Sequence, residues 1–147
     1  MRIKEERILS IIGLGIDLID LKAFSSFIED QETDFIARCF TIAEQSDAED
    51  SPDRLQYLAG RFAAKEAIAK ALGTGFNGEV APQEIEIRSR SSGAPKIILS
   101  GEASQTAVNL GITDWKLSIS HTDSAVIASA IALEARYSGG SRTPCAT

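Results

Sequence analysis

Apolar residues change period several times along this chain. From Ile8 to Ile16 they run almost without a break, interrupted only by Ser10, Gly13 and Gly15. Such a run predicts a strand buried on both faces, with the glycines allowing another backbone to approach closely. Leu18, Leu21, Phe24, Phe27 and Ile28 then recur at helical spacing, which predicts a helix over Leu18–Glu29. A short helix follows over Asp34–Phe40, and Thr41 caps a further turn through Glu44. The longest helix spans Pro52–Leu72, with Ser51 as N-cap, Pro52 and Asp53 suited to the first turn, and Gly73 and Gly75 closing it. EIEIRS (Glu84–Ser89) alternates as a strand does, SSGAP is a turn, and PKIILS returns as the second strand of a hairpin. Gly101–Leu110 is a short helix ended by Gly111, and KLSISH and SAVIASAIAL are two strands around a turn at His121–Ser124. This order predicts an α+β fold, a single domain over residues 1–137 with an antiparallel sheet and a long central helix. Residues 138–147 read as a disordered tail.

Composition narrows the function. At 147 residues, 44% hydrophobic and 24% charged, the chain is an ordinary single-core globular protein. No apolar run approaches the roughly 20 residues of a membrane span, and MRIKEER does not open a secretory signal. Cys39 and Cys145 lie far apart, which fits a reducing cytoplasm. With 15 Lys and Arg against 21 Asp and Glu, the net charge of −6 disfavours nucleic acid as a partner. A phosphate-rich small molecule needs a local cluster of cations or a metal instead.

Three segments carry candidate chemistry. In GLGIDLID, Asp17 follows an apolar strand, where a carboxylate caps the next helix or binds a metal. In RFAAKEAIAKALGTG, residues Leu55, Leu58, Ala59, Phe62 and Ala69 form an apolar stripe, and Glu66 falls about 40° from Phe62, inside it. A carboxylate there needs a cation, and Mg²⁺ suits oxygen ligands. Lys70 lies one turn further on nearly the same face, and Lys65 flanks the stripe. A plain Glu66–Lys70 helix pair explains the same spacing. In LSISHTDS, the sole histidine, His121, ends a strand bearing Ser118 and Ser120, a set of donors that suits a phosphate or simply builds a turn. No Cys/His spacing suggests zinc, and the glycines at 73, 75 and 78 match neither a Walker nor a dinucleotide pattern.

GIDLID, FTIAEQ, GRFAAKEAIAKALGTG, SGAPK and LSISH occur in the order and spacing of the short bacterial phosphopantetheinyl transferases. Over roughly Ile11 to Leu133 the chain resembles the holo-acyl-carrier-protein synthase family. The resemblance implies the 4′-phosphopantetheinyl transferase fold and transfer of 4′-phosphopantetheine from coenzyme A to a serine of an apo acyl carrier protein. It implies Asp17 and Glu66 as Mg²⁺ ligands, Glu66 and Lys70 in catalysis, and Lys70 and Lys65 facing the pyrophosphate. It places Arg61 at a neighbouring phosphate or the carrier, and His121 at the nucleotide phosphates. Gly73, Gly75 and the segment Gly93–Pro95 would shape the nucleotide pocket. It also implies a homotrimer with active sites between protomers, so that His121 acts across an interface from Asp17 and Glu66. Ile19 stands where larger relatives carry a third acid, as in the short type.

One feature departs from the family. The first helix of the family presents basic residues to an acidic carrier, but here it holds only Lys22, surrounded by Asp20, Glu29, Asp30 and Glu32. Docking through Arg38, Arg54 and Arg61, or a less acidic carrier, are the two alternatives. The competing functional class is a non-catalytic trimeric scaffold of the same fold that binds nucleotide without transfer.

Overall fold

The computed structural model describes residues 5–138. Strand β1 (Arg7–Asp20) leads into helix α1 (Leu21–Cys39), helix α2 (Ile42–Glu49) and the central helix α3 (Arg54–Leu72). A single 3₁₀ turn at Pro82–Glu84 precedes the hairpin β2 (Ile85–Ser89) and β3 (Pro95–Leu99). Helix α4 (Gly101–Leu110), β4 (Asp114–His121) and β5 (Ala125–Tyr137) complete the fold. The larger sheet has the order β1-β5-β4 and is antiparallel throughout, with β2 and β3 forming a separate two-stranded sheet. The α+β architecture with antiparallel pairing is the one the sequence predicts.

The strand and helix boundaries differ from the sequence reading in instructive ways. β1 does not stop at Ile16, because Leu18 and Ile19 pair with Ile127 and Val126 of β5. Asp20 then accepts from the Ala23 N–H at 2.8 Å and starts α1. The two predicted helices are one, since no glycine or proline interrupts the chain from Leu21 to Phe40. α3 begins at Arg54 with Asp53 as its cap, accepting from the Gln56 N–H at 3.0 Å, so Ser51 and Pro52 lie outside it. Ser138, assigned to the tail from sequence, exchanges hydrogen bonds of 3.0 Å with Glu6 beyond the end of β5, and residues 139–147 lie outside the described residues.

α3 is the axis of the core. Twelve of its nineteen residues are buried, so it is covered on most sides rather than along one stripe. Val126, Ala128, Ala130 and Ala132 of β5 line the inner face of the sheet, and all are buried. On the other side Phe24 and Phe35 of α1 pack on Phe62 with ring centroids 5.9 and 5.2 Å away. Small residues set how close strand and helix come. A Cβ added at Gly15 would lie 1.7 Å from the Ala67 carbonyl oxygen, and one at Gly13 would lie 2.0 Å from that of Ala71. Both predicted glycine contacts are therefore backbone against backbone.

β1 is not buried on both faces, contrary to the run of apolar residues. Leu14, Ile16 and Leu18 point away from α3 and are 65%, 55% and 68% exposed. Ile127 of β5 adds to the same outer face, whereas β4 contributes Lys116, Ser118 and Ser120 there, all exposed.

Candidate active site

The close crossing of β1 over α3 decides what meets at its far end. Asp17 follows the Gly15 crossing by two residues on the inward side of β1, and Glu66 and Lys70 flank Ala67 on α3. Lys70 donates to Asp17 Oδ1 at 3.0 Å and to the Ile16 carbonyl at 2.9 Å. Its own side chain stays 49% exposed. Burial pushes the Glu66 carboxyl above the usual carboxylate range, and repulsion from Asp17 pushes the same way, with Lys70 opposing both. Asp17, Glu66 and Lys70 thus form one electrostatic unit. Asp17 caps no helix, since Asp20 does that, so the simple cap reading of Asp17 fails.

Lys65 is a correction to the sequence reading. Its side chain is fully buried, and its ammonium lies 2.9 Å from Glu44 Oε2, itself fully buried. It also donates to the carbonyls of Pro82 (2.9 Å) and Ile85 (2.5 Å). Glu44 spends its other oxygen on the Ile87 N–H at 2.8 Å and accepts from the Thr41 N–H, closing the capping box that starts α2. Burial lowers the proton affinity of Lys65 against the opposing pull of Glu44. With all three ammonium hydrogens engaged inside the protein, Lys65 ties α2 and the β2–β3 hairpin to α3 and does not face a pyrophosphate. Glu66, not Lys65, is the half-open position.

The remaining predicted residues occupy two other places. Arg61 is mostly buried, stacks over the Tyr57 ring at 4.5 Å and donates to Ser89 Oγ at 2.8 Å, while its Nε has no partner among the described residues. Pro95 is the register partner of Ser89, so the Gly93–Pro95 turn lies at the Arg61 end of the hairpin. Gly73, with φ of 79°, is the left-handed C-cap of α3, and Gly75 (φ 53°) donates to the Ala69 carbonyl, which turns the chain one turn past Lys70. His121 closes β4, and its Nδ1 lies 2.9 Å from Gln56 Nε2 in the first turn of α3. At 1.5 Å per residue, Gln56 and Glu66 are separated by about 15 Å along the helix. Within one chain, His121 therefore does not join Asp17 and Glu66.

Sequence reasoning missed Gln56, Tyr57, Ser89 and Glu44. Only Glu44 left a local trace, in the Thr41-x-x-Glu44 spacing of a capping box. Among the described residues, no group of three or more His, Cys, Asp or Glu gathers as a metal cage. No helix among them is long and apolar enough to cross a membrane.

Comparison with known proteins identifies the family and the fold. Residues 13–128 match the 4′-phosphopantetheinyl transferase superfamily model. A holo-[acyl-carrier-protein] synthase of Natranaerobius thermophilus is 40% identical over 121 residues, 82% of this chain and 96% of that protein. The crystal structure of holo-[acyl-carrier-protein] synthase from Neisseria meningitidis superposes with a TM-score of 0.78 at 33% identity, covering 84% of this chain and 98% of that one. The Bacillus anthracis enzyme in complex with CoA (3′,5′-ADP) gives 0.70 at 33% identity, covering 84% and 97%. The chain belongs to the 4′-phosphopantetheinyl transferase superfamily. Within it, the relatives that it matches over nearly their full length are holo-acyl-carrier-protein synthases.

Proposed function

We propose that this protein transfers the 4′-phosphopantetheine group of coenzyme A to a serine of an apo acyl carrier protein, releasing adenosine 3′,5′-bisphosphate. The observation that carries this reading is the convergence of Asp17, Glu66 and Lys70 at one partly open edge of α3.

The donor set fits Mg²⁺. Two carboxylates meet there with mutual repulsion that raises the proton affinity of Glu66, and a hard divalent ion held by Asp17 and Glu66 would relieve it. When bound, the ion supplies charge stabilisation to the pyrophosphate oxygens. Lys70, half exposed on a long side chain, can swing from Asp17 to a phosphate as negative charge develops there. The serine Oγ–phosphorus bond forms as the phosphorus–oxygen bond to the nucleotide breaks, and the serine proton passes to a Glu66 oxygen not used for the ion.

A homotrimer with shared sites completes the reading. The apolar outer face of β1 and β5 supports a partner chain. The separation of His121 from Glu66 along α3 supports a site that takes these groups from different protomers. Mixing inactive Asp17→Ala and His121→Ala chains should restore part of the activity, whereas a monomer by light scattering at working concentration overturns shared sites. We place the enzyme in the cytoplasm, where its carrier and coenzyme A meet.

The direct test is mass spectrometry of an apo carrier protein incubated with the enzyme, coenzyme A and Mg²⁺. Addition of one phosphopantetheine to the carrier supports transfer. Nucleotide binding without any addition supports the scaffold alternative and overturns the enzyme reading.

A further inference from the structure

The 2.9 Å contact between Gln56 Nε2 and His121 Nδ1 joins the first turn of α3 to the last residue of β4. The Gln56 backbone is fixed independently, because its N–H bonds to Asp53 Oδ1 at 3.0 Å. His121 is fixed by pairing with Val126 and by the turn that follows, where the Thr122 N–H donates to the Ala125 carbonyl at 2.9 Å. Neither residue is buried, so the packed core does not force the ring into one orientation. Among the described residues, the Gln56 carboxamide is the side chain that bonds to the ring and orients it.

We propose that Gln56 is a positioning residue for His121, holding the imidazole as the Nε2–H tautomer with that N–H turned outward as a donor. The carboxamide turns its N–H, and not its oxygen, toward the ring, so in this arrangement Nδ1 accepts and the ring proton of the neutral imidazole sits on Nε2. A carboxylate at position 56 has no N–H to donate. It can only accept, which draws the ring proton onto Nδ1 and leaves the outer nitrogen of a neutral ring as an acceptor, the wrong polarity for a phosphate. The proposal rests on the reading above in which His121 meets a coenzyme A phosphate. It adds the group that sets the sign of that contact.

His121 is the only histidine, so long-range ¹H–¹⁵N spectra of the full-length protein report both ring nitrogens without ambiguity. With the ring neutral, Nδ1 is expected at the pyridine-type position and Nε2 at the pyrrole-type position. Gln56→Leu should mix the two tautomers and raise KM for coenzyme A roughly tenfold, the loss of one strong hydrogen bond, with a smaller effect on kcat. The near-isosteric Gln56→Glu should move the proton to Nδ1 while preserving the fold. A protonated Nδ1 in the parent protein, or an unaltered tautomer ratio and KM in Gln56→Leu, overturns the role of Gln56. His121 resonances that do not respond to added coenzyme A overturn the phosphate contact instead, whatever the tautomer.

Discussion

Helix α3 carries two lysine–carboxylate pairs of nearly equal length whose surroundings are opposite. Lys65 and Glu44 lie 2.9 Å apart with both side chains fully buried. Lys70 and Asp17 lie 3.0 Å apart with Lys70 half exposed and Asp17 at 18%. Distance does not distinguish them; burial does. The buried ammonium has three acceptors and no route to a ligand, so its role is to hold elements together. The exposed one can exchange its partner, which is what a charge-stabilising lysine has to do. Five residues of one helix separate a fixed cation from a mobile one.

The largest effect that would break this contrast is on stability at the buried pair. Lys65→Ala should cost about 3–5 kcal/mol, because it strands the Glu44 carboxylate in the core. The double change Glu44→Leu with Lys65→Met should recover much of that in urea unfolding, since an apolar pair leaves no charge uncompensated. A loss below about 1 kcal/mol for Lys65→Ala, a value usual for surface pairs, would show that the pair is not sealed. Lys70→Ala should do the reverse. Transfer should fall roughly a hundredfold, as for loss of one electrostatic donor, while stability changes by less than about 1 kcal/mol.

Acidity sharpens the contrast further. The folded state raises the Glu66 pKa, so between the ordinary carboxylate value and the raised one the native state binds more protons than the unfolded chain. Metal-free stability should therefore decline as pH rises through that window. Glu66→Gln should flatten this slope and raise the melting temperature at neutral pH. A slope unchanged in Glu66→Gln would mean that Glu66 is not the strained group. The smallest effect concerns carrier docking. Asp20→Lys, made to attract an acidic carrier to α1, also removes the cap that bonds the Ala23 N–H, at about 1 kcal/mol. Asp30→Lys carries no cap, so a gain in kcat/KM at low salt in Asp30→Lys alone isolates the electrostatics of docking. Identical salt dependence in parent and variant would remove this helix from the docking surface.

The elements were readable where local chemistry dictates them. Thr41 and Gly73 cap as their residue types require, and the alternation in the hairpin and in β4 marks strands. Gly13 and Gly15 announced the close crossing because nothing larger fits against the Ala67 and Ala71 carbonyls. What stayed hidden depends on what covers a surface. α3 is so rich in alanine that an apolar stripe drawn on it is broad, and the angle that put Glu66 inside the stripe could not show that Lys65 is the enclosed residue. β1 looks buried on both faces by composition, yet one chain covers only one of them. Gln56 and His121 are 65 residues apart, and no periodicity links them.

Among the described residues, strand β1 has a single sheet neighbour, β5, which follows every other strand in the chain. Arg7 pairs with Tyr137 and Asp20 with Ala125. A ribosome adding about 5–20 residues per second therefore exposes β1 for several seconds before β5 exists. During that interval β1 has an unpaired edge as well as Leu14, Ile16 and Leu18, the combination that recruits other unfinished chains or a chaperone. Contacts of such long sequence separation also slow closure of the sheet. Asp17, carried on β1, is thus made well before the strand that holds it and is among the last residues to be locked in place.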